Sequence, residues 1–189
     1  MTRFALLPLL VAASLFVPAA QSDDGIDWQA LYRPLQLPAI AAGQRCPVSP
    51  PAPEITSEKY GVGGAIGSGP VYPLLSSASL VVSFRPKEWG PGPWGGQKVL
   101  WFALPDYKGP VLIRGRRLDG WQWMRFDRGA RPSAEIRLAP GETVTWSGRA
   151  PDSRGRPSYV RVRAPGCYAA QIDGTSFSNV VVFSVFGLR

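Results

Sequence analysis

The sequence predicts an all-β chain, a two-layer β-sandwich of about eight strands, on three observations. From residue 79 onward, short runs place apolar residues at every second position. Glycine, proline and Asp-Gly pairs punctuate those runs at the spacing of strand, turn, strand. Helical periodicity is absent after Pro53, and no segment repeats with a fixed period.

Residues 1–20 have the order of an export signal: Arg3, an apolar run over 4–17 broken only by Pro8 and Ser14, then small residues. Val17, Ala19, Ala20 and Ser22 fit a cleavage site between 19 and 22. The run is shorter than the ~20 residues of a spanning helix, and no cysteine follows it to carry a lipid. The expectation is an exported protein, extracellular or periplasmic, with no transmembrane segment in the mature chain.

An arm follows over residues 21–53. Asp27 is placed to cap a helix of about two turns, with Trp28, Leu31, Tyr32 and Leu35 on one side and Pro34 limiting it. The Pro-rich remainder reads as extended chain laid over the domain, its contacts made by Leu35, Leu37 and Ile40.

The sandwich domain occupies residues 54–189. Its glycine-rich opening, 61–73, fits no phosphate-binding pattern, because Ile66 stands where the third glycine is needed and no lysine follows. Strands are expected at 79–85, with Leu80, Val82 and Phe84 inward; at 99–104, apolar on both sides; and at 111–117 after Gly109-Pro110. Two more are placed at 134–138 and 143–146, joined across Pro140-Gly141. The chain closes with 158–163, then 167–172 with Tyr168, Ala170 and Ile172 inward, then 178–186, a run apolar on both faces as in a sheet interior.

Two cysteines in an exported chain predict a Cys46–Cys167 disulfide, the competing reading being two small buried thiols. Closing so long a loop contributes roughly 4 to 5 kcal/mol in the chain-entropy model. Since Cys46 precedes every strand, the bridge ties the arm to the domain.

The formal charge is +8, and residues 107–163 carry all of the excess, with thirteen basic residues against five acids. Arg114 and Arg116 share one face of a strand, as do Arg161 and Arg163, and these outward faces hold guanidinium groups that a core does not accept. If the two strands belong to one sheet, the four arginines form an anion-binding patch for an anionic envelope polymer or lipid surface. Otherwise the charge serves solubility. Export argues against a specific nucleic-acid partner, and the oligomeric state is left open.

The chain has no histidine, which removes the usual general base and most zinc sites. Its four lysines form no Ser-x-x-Lys pattern, and Asp106, Asp119, Asp127 and Asp173 lie at turns. Neither a catalytic residue, a metal site nor a cofactor is expected. Loop tryptophans remain: Trp89 and Trp94 among glycines and prolines, Trp121 and Trp123 after Asp119-Gly120. They are either stacking platforms for a sugar or other flat ligand, or plugs at the ends of the sandwich. Trp101 and Trp146 fall within strands and read as core.

The ordered blocks WQALYRPLQLP, CPVSP, GSGPVYP, KVLWFALPDYKGPVLIRGRRLDG and PSYVRVRAPGCYAAQIDGTSFSNVVVF resemble those of a family of uncharacterised secreted bacterial proteins. PGCYAAQIDG is also similar to the P-G-x-Y strand of bacterial immunoglobulin-like domains, in which the tyrosine, here Tyr168, anchors the turn into a late strand. The resemblance implies an immunoglobulin-like sandwich and no catalytic residues. Cys167 directly before Tyr168 departs from the Tyr-x-Cys order of immunoglobulins, so their standard disulfide does not carry over. The expected function is a non-catalytic binding or structural module of the envelope or extracellular space. The alternative is a carbohydrate- or other ligand-binding module using the loop tryptophans.

Overall fold

The computed structural model describes residues 25–41, 43–90, 92–142 and 152–188. The export signal expected at 1–20 and the strand expected at 143–146, with Trp146, lie outside them. Nine strands are present among the described residues: β1 (Val71–Pro73), β2 (Ser79–Val82), β3 (Gly95–Ala103), β4 (Val111–Arg117), β5 (Arg125–Phe126), β6 (Ile136–Leu138), β7 (Arg154–Val162), β8 (Gly166–Gly174) and β9 (Ser178–Gly187). The chain is therefore all-β, with helical turns of only four residues, and no described helix is long and apolar enough to cross a membrane.

The strands form two sheets, ordered β1-β3-β7-β5 and β2-β9-β8-β4-β6. All pairs are antiparallel except β2 with β9. Period-2 alternation turns one set of side chains from each sheet into a shared core. Val99, Trp101, Phe126, Val160 and Val162 come from the four-stranded sheet; Leu80, Ile113, Tyr168, Ile172 and Phe183 come from the five-stranded one. Trp101 meets Phe126 edge-on at 6.3 Å between ring centres.

The outer faces are covered too, which accounts for the runs that are apolar on both sides. Phe102, outward on β3, packs with Ala52, Ile55, Ala65 and Tyr72. Across the five-stranded sheet runs the arm. Trp28 and Leu31 close on Leu112, while Leu37, Ile40 and Cys46 pack with Ala169 and Val182. Burying each large side chain in this way contributes roughly 1.5–3 kcal/mol. The disulfide Cys46–Cys167, with Cα atoms 5.3 Å apart, fixes the arm to β8, and the Ser49 amide donates to the Val182 carbonyl at 2.9 Å.

The helix expected at the head of the arm is one 3₁₀ turn, Trp28–Leu31, capped by the Asp27 carboxylate. It ends at Tyr32, two residues before Pro34, and beyond it the chain is tied to the sheet: Arg33 donates to the Phe177 carbonyl at 2.5 Å, and Gln171 Nε2 donates to the Pro34 carbonyl at 3.2 Å. Beneath the arm Asp173 is wholly buried, accepting from Arg114 Nη2 at 2.8 Å and Ser178 Oγ at 2.6 Å. The Asp-Gly pair that reads as a turn is the centre of a charged clamp.

Candidate functional site

Within residues 120–126, Trp121 and Trp123 are 76% and 50% exposed and Arg125 is half-buried, whereas Met124 and Phe126 enter the core. This extended piece straddles both sheets. Its first half returns along β4, with the Arg117 amide on the Gln122 carbonyl at 2.8 Å and the Met124 amide on the Gly115 carbonyl at 3.1 Å. Its second half is β5, paired to β7. Gly115 permits the close approach, because a Cβ there would lie 2.4 Å from both Met124 Cε and the Ala169 carbonyl.

Trp121, Gln122, Trp123 and Arg125 line a groove of about 100 Å³ completed by Trp94 and Arg163. Behind it, on the outer face of the four-stranded sheet, cations and rings alternate. Arg163 lies over Trp94 at 4.5 Å, and Arg161 lies between Trp94 and Trp89 at 5.4 and 5.1 Å. Trp89 then meets Tyr159 edge-on at 5.4 Å, and Arg128 covers Tyr159 at 5.6 Å. The stack lies flat because Gly96 has no side chain: a Cβ there would sit 2.9 Å from the Trp89 ring.

Arg161 is fully buried, and it donates to the carbonyls of Trp89 at 2.6 Å, Gly129 at 3.1 Å and Asp127 at 3.3 Å. Burial lowers its pKa, yet a guanidinium remains charged at neutral pH. Asp119, the acid just before the segment, is held below the ordinary carboxylate range by its hydrogen bond from Arg117 at 2.6 Å. It also caps the Cys167 amide at 3.2 Å. No carboxylate lines the groove. Among the described residues, Arg125 and Arg163 form no ion pair and no side-chain hydrogen bond.

The four arginines do not form the single patch expected of them, because β4 and β7 belong to different sheets. Arg114 is covered by the arm, bonded to Asp173 and to the Arg33 carbonyl at 2.6 Å, with Tyr32 over its guanidinium at 5.0 Å. Arg161, expected outward because a core does not accept it, is accepted by three carbonyls and two indoles. Only Arg116 and Arg163 are exposed. Arg116 is the bridge partner of Trp123, so their side chains leave the same face and Arg116 flanks the groove.

The four tryptophans divide as well. Trp89 and Trp94 are buried at 6% and 8% exposure, whereas Trp121 and Trp123 face solvent, so plugging and display are both present on adjoining residues. Arg125 and Gln122 are site residues that the sequence reading passed over. For Arg125 the signal was the alternation of WQWMRF, which puts it on the side of Trp123; the same alternation gives no signal for Gln122.

A second depression, near 490 Å³, is lined by Tyr32, Asp127, Glu135, Arg137 and Arg156, but its charges are spent on each other. Arg137 binds Glu135 at 2.7 Å, Tyr32 donates to Glu135, and Arg156 approaches Asp127 at 4.0 Å. Among the described residues no group of histidine, cysteine and carboxylate side chains is placed to hold a metal ion. No family model, curated protein or solved structure matches the chain.

Proposed function

We propose that the chain is an exported, non-catalytic β-sandwich of the immunoglobulin-like kind that binds a flat-faced ligand, a carbohydrate first of all, through the Trp121–Trp123 groove. One observation carries the binding reading. Two indoles are held in solvent on one groove, beside guanidinium groups with no carboxylate partner among the described residues. Exposing two large aromatic faces costs burial free energy that a core position would recover, and stacking on a ring offsets it. Every side chain lining the groove lacks a group that gives or takes protons near neutral pH, which supports binding rather than catalysis.

The immunoglobulin-like assignment is supported by strand neighbours. The order β1-β3-β7-β5 corresponds to A-B-E-D, and β9-β8-β4 corresponds to G-F-C. It is supported also by the Tyr168 hydroxyl, which donates to the Ala164 carbonyl at 2.8 Å across the turn before β8, as a tyrosine corner does. The departures are the order of β5 and β6 and a disulfide that joins the arm to β8. Export rests on the leader pattern and on the disulfide, a bond of oxidising compartments. Kinship with the secreted bacterial proteins that the sequence resembles belongs to the same proposal.

Titration of the purified protein with neutral and acidic polysaccharides, followed by tryptophan emission, tests the reading. Binding should perturb emission, and the double replacement Trp121→Ala, Trp123→Ala should abolish it. Binding that survives the double replacement sinks the groove as the site.

A further inference from the structure

We propose that the ligand of this groove is an acidic glycan, a pyranose chain bearing ring carboxylates, with its apolar ring faces on Trp121 and Trp123 and its carboxylates on Arg125 and Arg163. This rests on the binding reading above and narrows it to one ligand chemistry. The groove sets the indoles of Trp121 and Trp123 beside the guanidinium groups of Arg125 and Arg163, in the chain order indole, indole, guanidinium. A chain of linked rings presents the same sequence of apolar faces and charges along one edge.

Charge is the second argument. Near the groove the acid Asp119 is already held by Arg117 at 2.6 Å, while Arg125, Arg163 and the flanking Arg116 have no carboxylate partner among the described residues. The site is therefore electropositive without an internal counterion. Arg163 is also positioned: it rests on Trp94 at 4.5 Å, and Trp94 is held from behind by the buried Arg161 at 5.4 Å. A guanidinium fixed in this way keeps its planar fork of donors free for the two oxygens of a carboxylate.

Two other anions are less well matched. A lipid surface calls for apolar side chains on a protruding tip with cations around them. Here Arg125 and Arg163 line the groove together with the indoles. Single-stranded nucleic acid stacks on aromatic rings too, but its charge lies on the backbone, away from the stacked base. In an acidic sugar the carboxylate is attached to the stacking ring itself, as Arg125 stands two residues from Trp123.

The test compares tetragalacturonate with its methyl ester, which keeps the rings and removes the charge, using tryptophan emission and calorimetry on the purified protein. The acid should bind at least about tenfold more tightly than the ester, since charge-assisted hydrogen bonds are lost in the latter. The difference should shrink with salt. Arg125→Gln and Arg163→Gln should each weaken the acid roughly tenfold and leave the ester unchanged. Equal affinity for acid and ester overturns the inference and leaves the sugar-binding reading standing. Failure of both saccharides to bind overturns both. Binding only to phosphatidylglycerol vesicles or to oligothymidylate overturns the inference and gives the groove to that partner. The acid-to-ester ratio is read on the unmodified protein, so it does not depend on how any variant folds.

Discussion

Replacing Arg161 by alanine tests the stack on which the groove is built. The side chain is fully buried, gives three hydrogen bonds to backbone carbonyls and separates two indoles. Hydrogen bonds from a charged donor contribute about 1.5–3 kcal/mol each, and desolvated cation–π contacts about 2 kcal/mol each, but these overlap. Against them stands the cost of burying the charge, seen in the lowered pKa. Alanine removes the donor, leaves the Trp89 carbonyl at the buried end without a partner, and opens a gap between the rings. The expected loss is about 3–5 kcal/mol. For a domain with a urea dependence near 2 kcal/mol per molar, this lowers the midpoint by roughly 1.5–2.5 M. Arg161→Lys retains the charge but not the planar fork, and should lie between the two. Urea unfolding followed by near-ultraviolet dichroism gives the answer. A loss for Arg161→Ala below about 1 kcal/mol would falsify the argument that the guanidinium organises the stack.

Three further outcomes are expected. Reducing Cys46–Cys167, which are 121 residues apart, should destabilise the protein by roughly 4 to 5 kcal/mol; a melting temperature unchanged by reductant, with both thiols then alkylated, contradicts this. Asp173→Asn should cost about 3–5 kcal/mol by leaving Arg114 without its buried counterion, and limited proteolysis should then cut in the arm near residues 33–45; an arm as resistant as wild type refutes the clamp. Burial pushes the Tyr168 hydroxyl up to about 12. Because the folded state holds that proton more tightly, its contribution is complete below pH about 10, is lost as pH rises through about 12, and is at most about 2.7 kcal/mol. Tyr168→Phe should remove that part of the alkaline slope and lose the corner hydrogen bond, worth about 1 kcal/mol; an alkaline profile identical to wild type speaks against it.

Strand alternation made much of the fold legible. Leu80 and Val82, Val160 and Val162, and Tyr168, Ala170 and Ile172 all face the shared core as their spacing requires. The double-sided runs at β3 and β9 announced covered outer faces, and the Pro-rich arm with Cys46 announced one of the covers. What failed to show was where polar groups go. Spacing places Arg114 and Arg161 outward, and both are outward; it does not say that an arm and a tryptophan loop are laid over them. A period-2 pattern reports which face a residue takes and is silent on what covers that face. β1 and β5, three and two residues long, were hidden for a different reason: strands so short owe their existence to the neighbours that pair with them.

The same distinction explains why the site was only half visible. Tryptophan content drew attention to four residues as a set, but their roles are set by the side of the sheet and loop they occupy. Trp89 and Trp94 hold the buried Arg161 between them, and that arrangement fixes Trp94 as a wall on which Arg163 rests. Trp121 and Trp123 are carried on the segment opposite and remain in solvent. Support and display are thus separate tasks performed by adjoining residues of one type. A binding surface made of side chains on a short extended piece loses rotamer entropy on contact unless something holds it in advance. The stack supplies that restraint for Arg163, and the register of β5 with β7, Arg125 opposite Arg161, supplies it for Arg125. Weakening the stack at Arg161 should therefore reduce ligand affinity even though Arg161 itself never reaches the groove. Replacing the exposed Trp121 should reduce affinity with little change in stability.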